Sequence, residues 1–393
     1  FTLHYAFESS SKLQRDVGTV LQKEWGKIGE KLVLDGVETA TLNSRIWGQN
    51  GWPLYPTFEQ GGADITLQEY SWMATDLVWY PGCYCAEGIS PLGWNYWAAH
   101  DGRADYLMHK AMSTYNQTER LKYIYEWQDQ KQEEVNEINV AFPMRSKLVS
   151  TNLIYPNQIE PDVYDVDEWS VKGKTPQDNV TVKYAMQNDP PMFLSLFIDG
   201  GWYILDPINR QLFRQVYDTN AKKYNIEPDL VTDYKISDDG MSMTIHLVDN
   251  VYFHDGAKMT SADVKWSFDV ILDPATGSTY YGDFSAAVAS VEAPDDLTII
   301  LRFKKATPEI LTLLSSGYAM VLPKHVLSDI PHDQLRTCKY NTEAPPPGLG
   351  PYKFTEWVKG QYVKLVANDQ YFKGRPFVDI LYFVIIPDSM TAL

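Results

Sequence analysis

Cys83 and Cys85 stand two apart in PGCYCAEG, and the third cysteine, Cys338, stands alone in RTCKY. A C-x-C pair with no second Cys or His cluster at ligand spacing is weak support for a metal. In an oxidising compartment the three allow one disulfide, within the C-x-C or from one of its members to Cys338. The seven histidines (His4, His100, His109, His246, His254, His325 and His332) are dispersed, and no two show the i, i+4 spacing of a helical metal site. There is no GxSxG elbow, no HExxH, no GxxxxGK[ST] and no GxGxxG opening a helix. GLGPYK begins like a glycine loop but runs on into a strand pattern, so it is no phosphate cradle. Carboxylates are abundant, yet no pattern singles out an acid/base pair. The sequence therefore predicts no catalytic residue, no metal and no cofactor.

Aromatic side chains offer a different chemistry. The 12 Trp and 26 Tyr exceed what a core alone demands, and flat, rigid, amphipathic rings suit the grip of a ligand. The densest run lies between Trp72 and Trp97. The formal charge of -17 argues against a nucleic-acid partner, which needs clustered Lys and Arg, and reads as a solubilising surface. No stretch of eighteen apolar residues is present, so no transmembrane helix is expected. FTLHYAFESS lacks a basic n-region and a cleavage site, and reads as a strand with its beginning cut away. Two sequons, Asn116-Gln117-Thr118 and Asn179-Val180-Thr181, are candidate glycosylation sites in a secreted chain.

The elements that must carry these residues follow from periodicity. FTLHYAF alternates as a strand, and KLQRDVGTVLQKEWGKIG places Leu13, Val17, Val20, Leu21, Trp25 and Ile28 on one helical stripe. The helix ends at Gly29 and KLVLDGVE is the next strand. ADITLQEYSW reads as a half-buried strand leading into the aromatic loops. From about Arg103 to Glu137 the pattern is two helices broken near Asn116. The second helix carries Leu121, Ile124, Tyr125 and Gln128 at i, i+3, i+4 and i+7, with Thr118 as its cap. INVAFPM follows as a buried strand. Residues 155–178 are polar and Pro/Asp-rich, which suggests a linker or surface-running tail.

The pattern restarts at VTVKYAM. SDDGM joins two strands of which MTIHLV alternates cleanly, and Asp-Gly supplies the positive φ of a tight turn. In VYFHDGAKMTSADVKWSFDVILDP, His254-Asp255-Gly256 turns the chain, and Thr260 and Asp263 have capping-box spacing. Val264, Phe268 and Ile271 repeat helically before Asp273-Pro274 stops the helix. These features are scaffold. VEAPDDLTIILRF is a strand pair, TPEILTLLSSG a short helix and MVLPKHVL a strand into a turn. GLGPYKFTEWVKGQYVKLVAN reads as a hairpin about Val358–Gln361, and FVDILYFVII as a buried strand.

The run SDDGMSMTIHLVDNVYFHDGAKMTSADVKWSFDVILDP resembles the signature of the family 5 extracellular solute-binding proteins, the oligopeptide-, dipeptide-, nickel- and oligosaccharide-binding components of ABC importers. VEAPDDLTIILRFKKATPEILTLL, VLPKH and GLGPYKFTEWVKGQYVKLVANDQYFKGRPFVDILYFVIIPD continue the likeness in order, over residues 180 to 390. Residues 1 to 150 resemble, more loosely, the later part of the same family. The resemblance implies a two-lobed, periplasmic-binding-protein-like α/β fold (type II), with mixed sheets flanked by helices and a solute cleft between hinged lobes. It also implies that the lobes stand in reversed sequence order. Residues 1–150 would be the second-lobe part, 151–178 the return segment and linker, and 179–393 the first-lobe part. A slice across tandem modules, or another part of a longer chain, is the expected cause, rather than a circular permutation, because the piece between FVIIPDSMTAL and FTLHYAF is missing.

On this likeness the protein is expected to capture an oligopeptide or oligosaccharide outside the cell or in the periplasm and deliver it to a membrane ABC permease. A tether to the membrane would lie in a segment outside this chain. Trp72 and Asp76 in SWMATD match a Trp and an Asp that, in peptide-binding members, sit at the ligand and pair with its amino terminus, although the spacing is one residue longer. Trp79, Trp94 and Trp97 are candidate stacking residues, and Tyr280 and Tyr281 in GSTYYGDF lie where the family brings an aromatic to the cleft. The competing expectation is a surface-exposed structural protein that self-assembles from tandem modules into a filament or surface layer.

Overall fold

The computed structural model describes residues 2–38, 41–42, 45, 64–67, 80–86, 95, 101–134, 148–155, 163–197 and 202–387. The chain divides into two compact units, Phe1–Asn139 and Val140–Leu393.

In the first unit, β1 (Thr2–Glu8), β2 (Lys31–Val37) and β3 (Ile65–Thr66) form a parallel sheet in the order β2-β1-β3. Helix α1 (Lys12–Gly26) crosses from β1 to β2, and its Ser11 cap accepts the Gln14 N–H at 3.3 Å. The face it buries is not the whole predicted stripe. Leu13, Val20 and Ile28 are exposed, and the inward line runs through Gln14, Gly18, Leu21 and Trp25. Two physical reasons account for the shift. A Cβ at position 18 would lie 2.6 Å from the Tyr5 ring, so the close approach requires glycine. Gln14 is buried because its Oε1 accepts the Glu8 N–H at 2.8 Å.

The first unit continues through α2 (Tyr80–Tyr84), α3 (Gly102–Ser113) and α4 (Gln117–Glu134). Cys85, Ala104, Leu107, Met108 and Trp127 make their shared core. The break at Asn116 is as expected, but the cap is Asn116 itself, whose Oδ1 accepts the Glu119 N–H at 3.1 Å, and not Thr118. The inward face of α4 is centred on Arg120 and Trp127, while Tyr125 and Gln128 are exposed. Arg120 turns inward because its Nε donates to the Ala111 carbonyl at 3.1 Å. ADITLQEYSW beyond Leu67 and INVAFPM lie outside the described residues.

The second unit contains two four-stranded sheets. Strands β9 (Val231–Ile236), β10 (Ser242–Leu247), β11 (Val288–Asp295) and β12 (Thr298–Phe303) pair antiparallel in the order β11-β12-β10-β9. Strands β13 (Tyr352–Val358), β14 (Tyr362–Ala367) and β15 (Ile380–Ile385) continue into β6 (Thr181–Met186), which runs parallel to β15. The expected turns hold, with Gly240 and Gly360 at φ +70° and +73°. Two hairpins are smaller: β4 (Leu153–Ile154) with β5 (Ser170–Val171), and β7 (Phe213–Asp218) with β8 (Lys223–Pro228). Helices α5 (Trp202–Ile208), α6 (Ser261–Leu272) and α7 (Tyr281–Ala287) pack with these strands.

The capping box of α6 forms: the Asp263 carboxylate accepts from the Thr260 N–H at 2.9 Å and from Lys324 N–H at 3.2 Å. Val264, Phe268 and Ile271 are buried as the spacing predicts. Lys324–Leu327 is a single helical turn where a strand into a turn was expected. Met320 makes only an isolated bridge to Gln211, and the Pro323 carbonyl accepts the Leu327 N–H, closing that turn. The polar stretch 155–178 is exposed at Lys172–Asn179, but Val166 and Trp169 within it are core residues of the second unit. No described helix is long and apolar enough to cross a membrane.

Candidate functional site

Three segments of the second unit bring Tyr280, Tyr318, Asp206 and Asp283 near one another. Tyr280 and Tyr281 stand at the start of α7, Tyr318 in the turn Gly317–Ala319, and Tyr203 and Asp206 on α5. Tyr280 is buried and stacks on Tyr318, with ring centroids 3.4 Å apart and 17° between the planes. Tyr281 is the neighbour that faces solvent, 38% exposed. Tyr203 is also exposed and lies against Tyr184 at 5.5 Å. Spaced three residues apart, Tyr203 and Asp206 share a side of α5.

Carboxylates flank the stack. Burial raises the Tyr318 hydroxyl above the usual tyrosine range, and the charges of Asp283 and Asp206 raise it further. Asp283 stands two residues beyond Tyr281, and burial pushes its carboxyl up to about 7. Asp206 is 2% exposed. Rings of this kind give a solute broad contact, and carboxylates beside them can orient a cationic or hydrogen-bond-donating group. Such an arrangement is suited to contact with a solute, and these residues form no nucleophile–base pair. Among the described residues no group of three or more His, Cys, Asp or Glu could hold a metal ion.

Of the residues singled out in the sequence, Trp72, Asp76, Trp79, Trp94 and Trp97 lie outside the described residues. Tyr280 and Tyr281 both lie at the start of α7: the first is buried against Tyr318, the second is exposed. Asn116 is the exposed cap of α4, and Asn179 is exposed with φ +51°. Cys83 and Cys85 are buried in the first unit, and Cys338 is half-buried in the second. Asp206, Asp283 and Tyr318 were not singled out. The signal for Asp206 was its place as an acid inside the apolar run WYILDPI.

The family match falls on this second unit. Residues 225–393 match the bacterial extracellular solute-binding proteins, family 5, middle region. A Brucella ovis protein named for ABC transporter peptide binding is 38% identical over 178 residues, 45% of this chain and 32% of its own length. The oligopeptide-binding protein AppA of Bacillus subtilis is 31% identical over 225 residues, 56% of this chain and 39% of its own. The structure of AppA in complex with a nonapeptide superposes with a TM-score of 0.50 at 29% identity, covering 56% of this chain and 42% of that one. The chain thus spans about a third to two fifths of the length of the curated relatives it matches. That family binds solutes and is not catalytic. Residues 225–393 of this chain are thus similar to the bacterial extracellular solute-binding proteins, family 5.

Proposed function

We propose that the protein is the solute-binding component of an ABC importer, that it captures oligopeptides outside the cytoplasmic membrane, and that a membrane permease receives them. One observation carries this reading: relatives named for peptide binding are 38% and 31% identical to this chain over 178 and 225 residues. The accessible ring of Tyr281 is the second unit's proposed solute contact, with Tyr280 stacked against Tyr318 as its support. Trp72, Trp79, Trp94 and Trp97 are the proposed stacking residues of the first unit, and Asp76 the proposed partner of a peptide ammonium. Peptide is preferred to oligosaccharide because carboxylates flank the tyrosines, and a carboxylate recognises an ammonium better than a hydroxyl. An extracellular location would also allow the cysteines to pair and the Asn116 and Asn179 sequons to be used. The competing structural reading, self-assembly of tandem modules, predicts no saturable ligand.

The test is an intrinsic-fluorescence titration of the full chain with pooled peptides and, separately, with pooled oligosaccharides. Saturation with peptides alone is expected. Asp76→Asn should weaken that binding by about 2 kcal/mol or more, some thirtyfold, if the carboxylate meets the ammonium. Saturation with oligosaccharides alone would overturn the peptide reading, and a flat response to both would overturn solute binding.

A further inference from the structure

Residues preceding the family-matched region finish the core of the second unit. Val166 and Trp169 are 0% and 2% exposed and pack with Ile204, Leu205, Ile208 and Tyr352. Their segment is also held by charge. The Asp167 carboxylate pairs with Arg210 at 3.1 Å and accepts from the Tyr371 hydroxyl at 3.4 Å, and Glu168 pairs with Arg214 at 3.3 Å. Strand β5 then closes on β4. The docking contacts thus divide cleanly: two apolar anchors and two acids on the segment, an apolar groove and two arginines on the body of the unit.

The connection onward is of another kind. Lys172–Asn179 is exposed throughout and anchored in no core. It folds back through a local turn in which the Thr175 N–H and hydroxyl both donate to Asp178 Oδ2, at 2.6 and 3.0 Å. Gly173 and Asn179 take positive φ at +70° and +51°, the left-handed conformation that glycine and asparagine adopt most readily. A specific docking surface joined through an exposed turn that makes no core contact is an arrangement in which identical elements exchange between copies, because the same contacts form either way.

We propose that Val163–Val171 is an exchangeable strap, and that the groove of α5, Arg210 and Tyr352 takes this segment from a second copy of the chain as well as from its own. The product is a reciprocal dimer in which each copy lends its strap to the other. Deleting Thr175–Asp178 removes the turn that returns the strap to its own groove. The shortened full-length chain is expected to run at twice the chain mass by light scattering, with native near-ultraviolet dichroism. Adding Trp169→Ala should weaken that dimer at least tenfold. A folded monomer after the deletion would overturn the proposal.

If the shortened chain does not fold, a charge exchange decides. Full-length Asp167→Arg and Arg210→Asp chains each mismatch their own strap and groove, yet each groove fits the other's strap. Refolded together they should give a one-to-one heterodimer that neither forms alone. A mixture behaving as the sum of its two components would overturn the proposal.

Discussion

Two buried polar centres join distant segments of the second unit, and they do so by opposite means. His254, in the turn before α6, is held by backbone alone. Its Nε2–H donates to the Gly350 carbonyl at 3.0 Å and its Nδ1 accepts the Gly348 N–H at 3.2 Å, so the ring is a satisfied, neutral imidazole. Burial pushes its pKa down to about 4. The glycines are required: a Cβ at Gly348 or Gly350 would lie 2.0 or 2.3 Å from a backbone carbonyl oxygen of Ile208 or Pro207. Arg210, just beyond α5, is held by side chains and must stay charged. Burial opposes that charge, while Asp167, Tyr371 and Asp229 outweigh the opposition and raise its pKa. The lesson is that a neutral clasp depends on one protonation state, whereas an ionic clasp depends on every partner being present.

Breaking the ionic centre should have the largest effect. Asp167→Ala leaves Arg210 buried with part of its compensation gone, and such truncations cost about 3–5 kcal/mol. Urea denaturation of the full chain, followed by a probe of the second unit, measures it. The neutral centre should break through pH instead. With the folded pKa below the unfolded one, the unfolded chain takes up the proton first. Stability present above about pH 6.5 is therefore lost as pH falls toward 4, by about 3 kcal/mol. His254→Asn should flatten the pH dependence in that window, and an unchanged slope would contradict the assignment. The smallest effect is expected on a surface that belongs to neither centre. Ile28→Ser, two residues past the end of α1 and 76% exposed, should change stability by less than about 0.5 kcal/mol in urea denaturation followed by a probe of the first unit.

The contrast also explains what the sequence could reveal. Helix α6 was legible because its cap, its apolar spacing and its stop are all local: Thr260 with Asp263, then Val264, Phe268 and Ile271. The hairpins about Gly240 and Gly360 were legible for the same reason. The buried faces of α1 and α4 were only half legible. Gln14 and Arg120 are polar residues that burial accepts once a backbone group elsewhere satisfies them, and apolar periodicity cannot count them. The Arg210 centre was invisible, since its partner Tyr371 lies 161 residues away. The tyrosine cluster shows the same division. Tyr280 and Tyr281 could be picked out from their place after α6, but Tyr318, Asp206 and Asp283 join them only when three separate segments fold together.

Solute capture is the central claim, and the melting temperature of the full chain tests it most directly. A ligand that binds only the folded state at a hundred times its dissociation constant adds about 2.7 kcal/mol of stability. For a chain of this size the account predicts a rise of several degrees with pooled peptides and none with pooled oligosaccharides. An unchanged melting temperature with peptides at every concentration would contradict it.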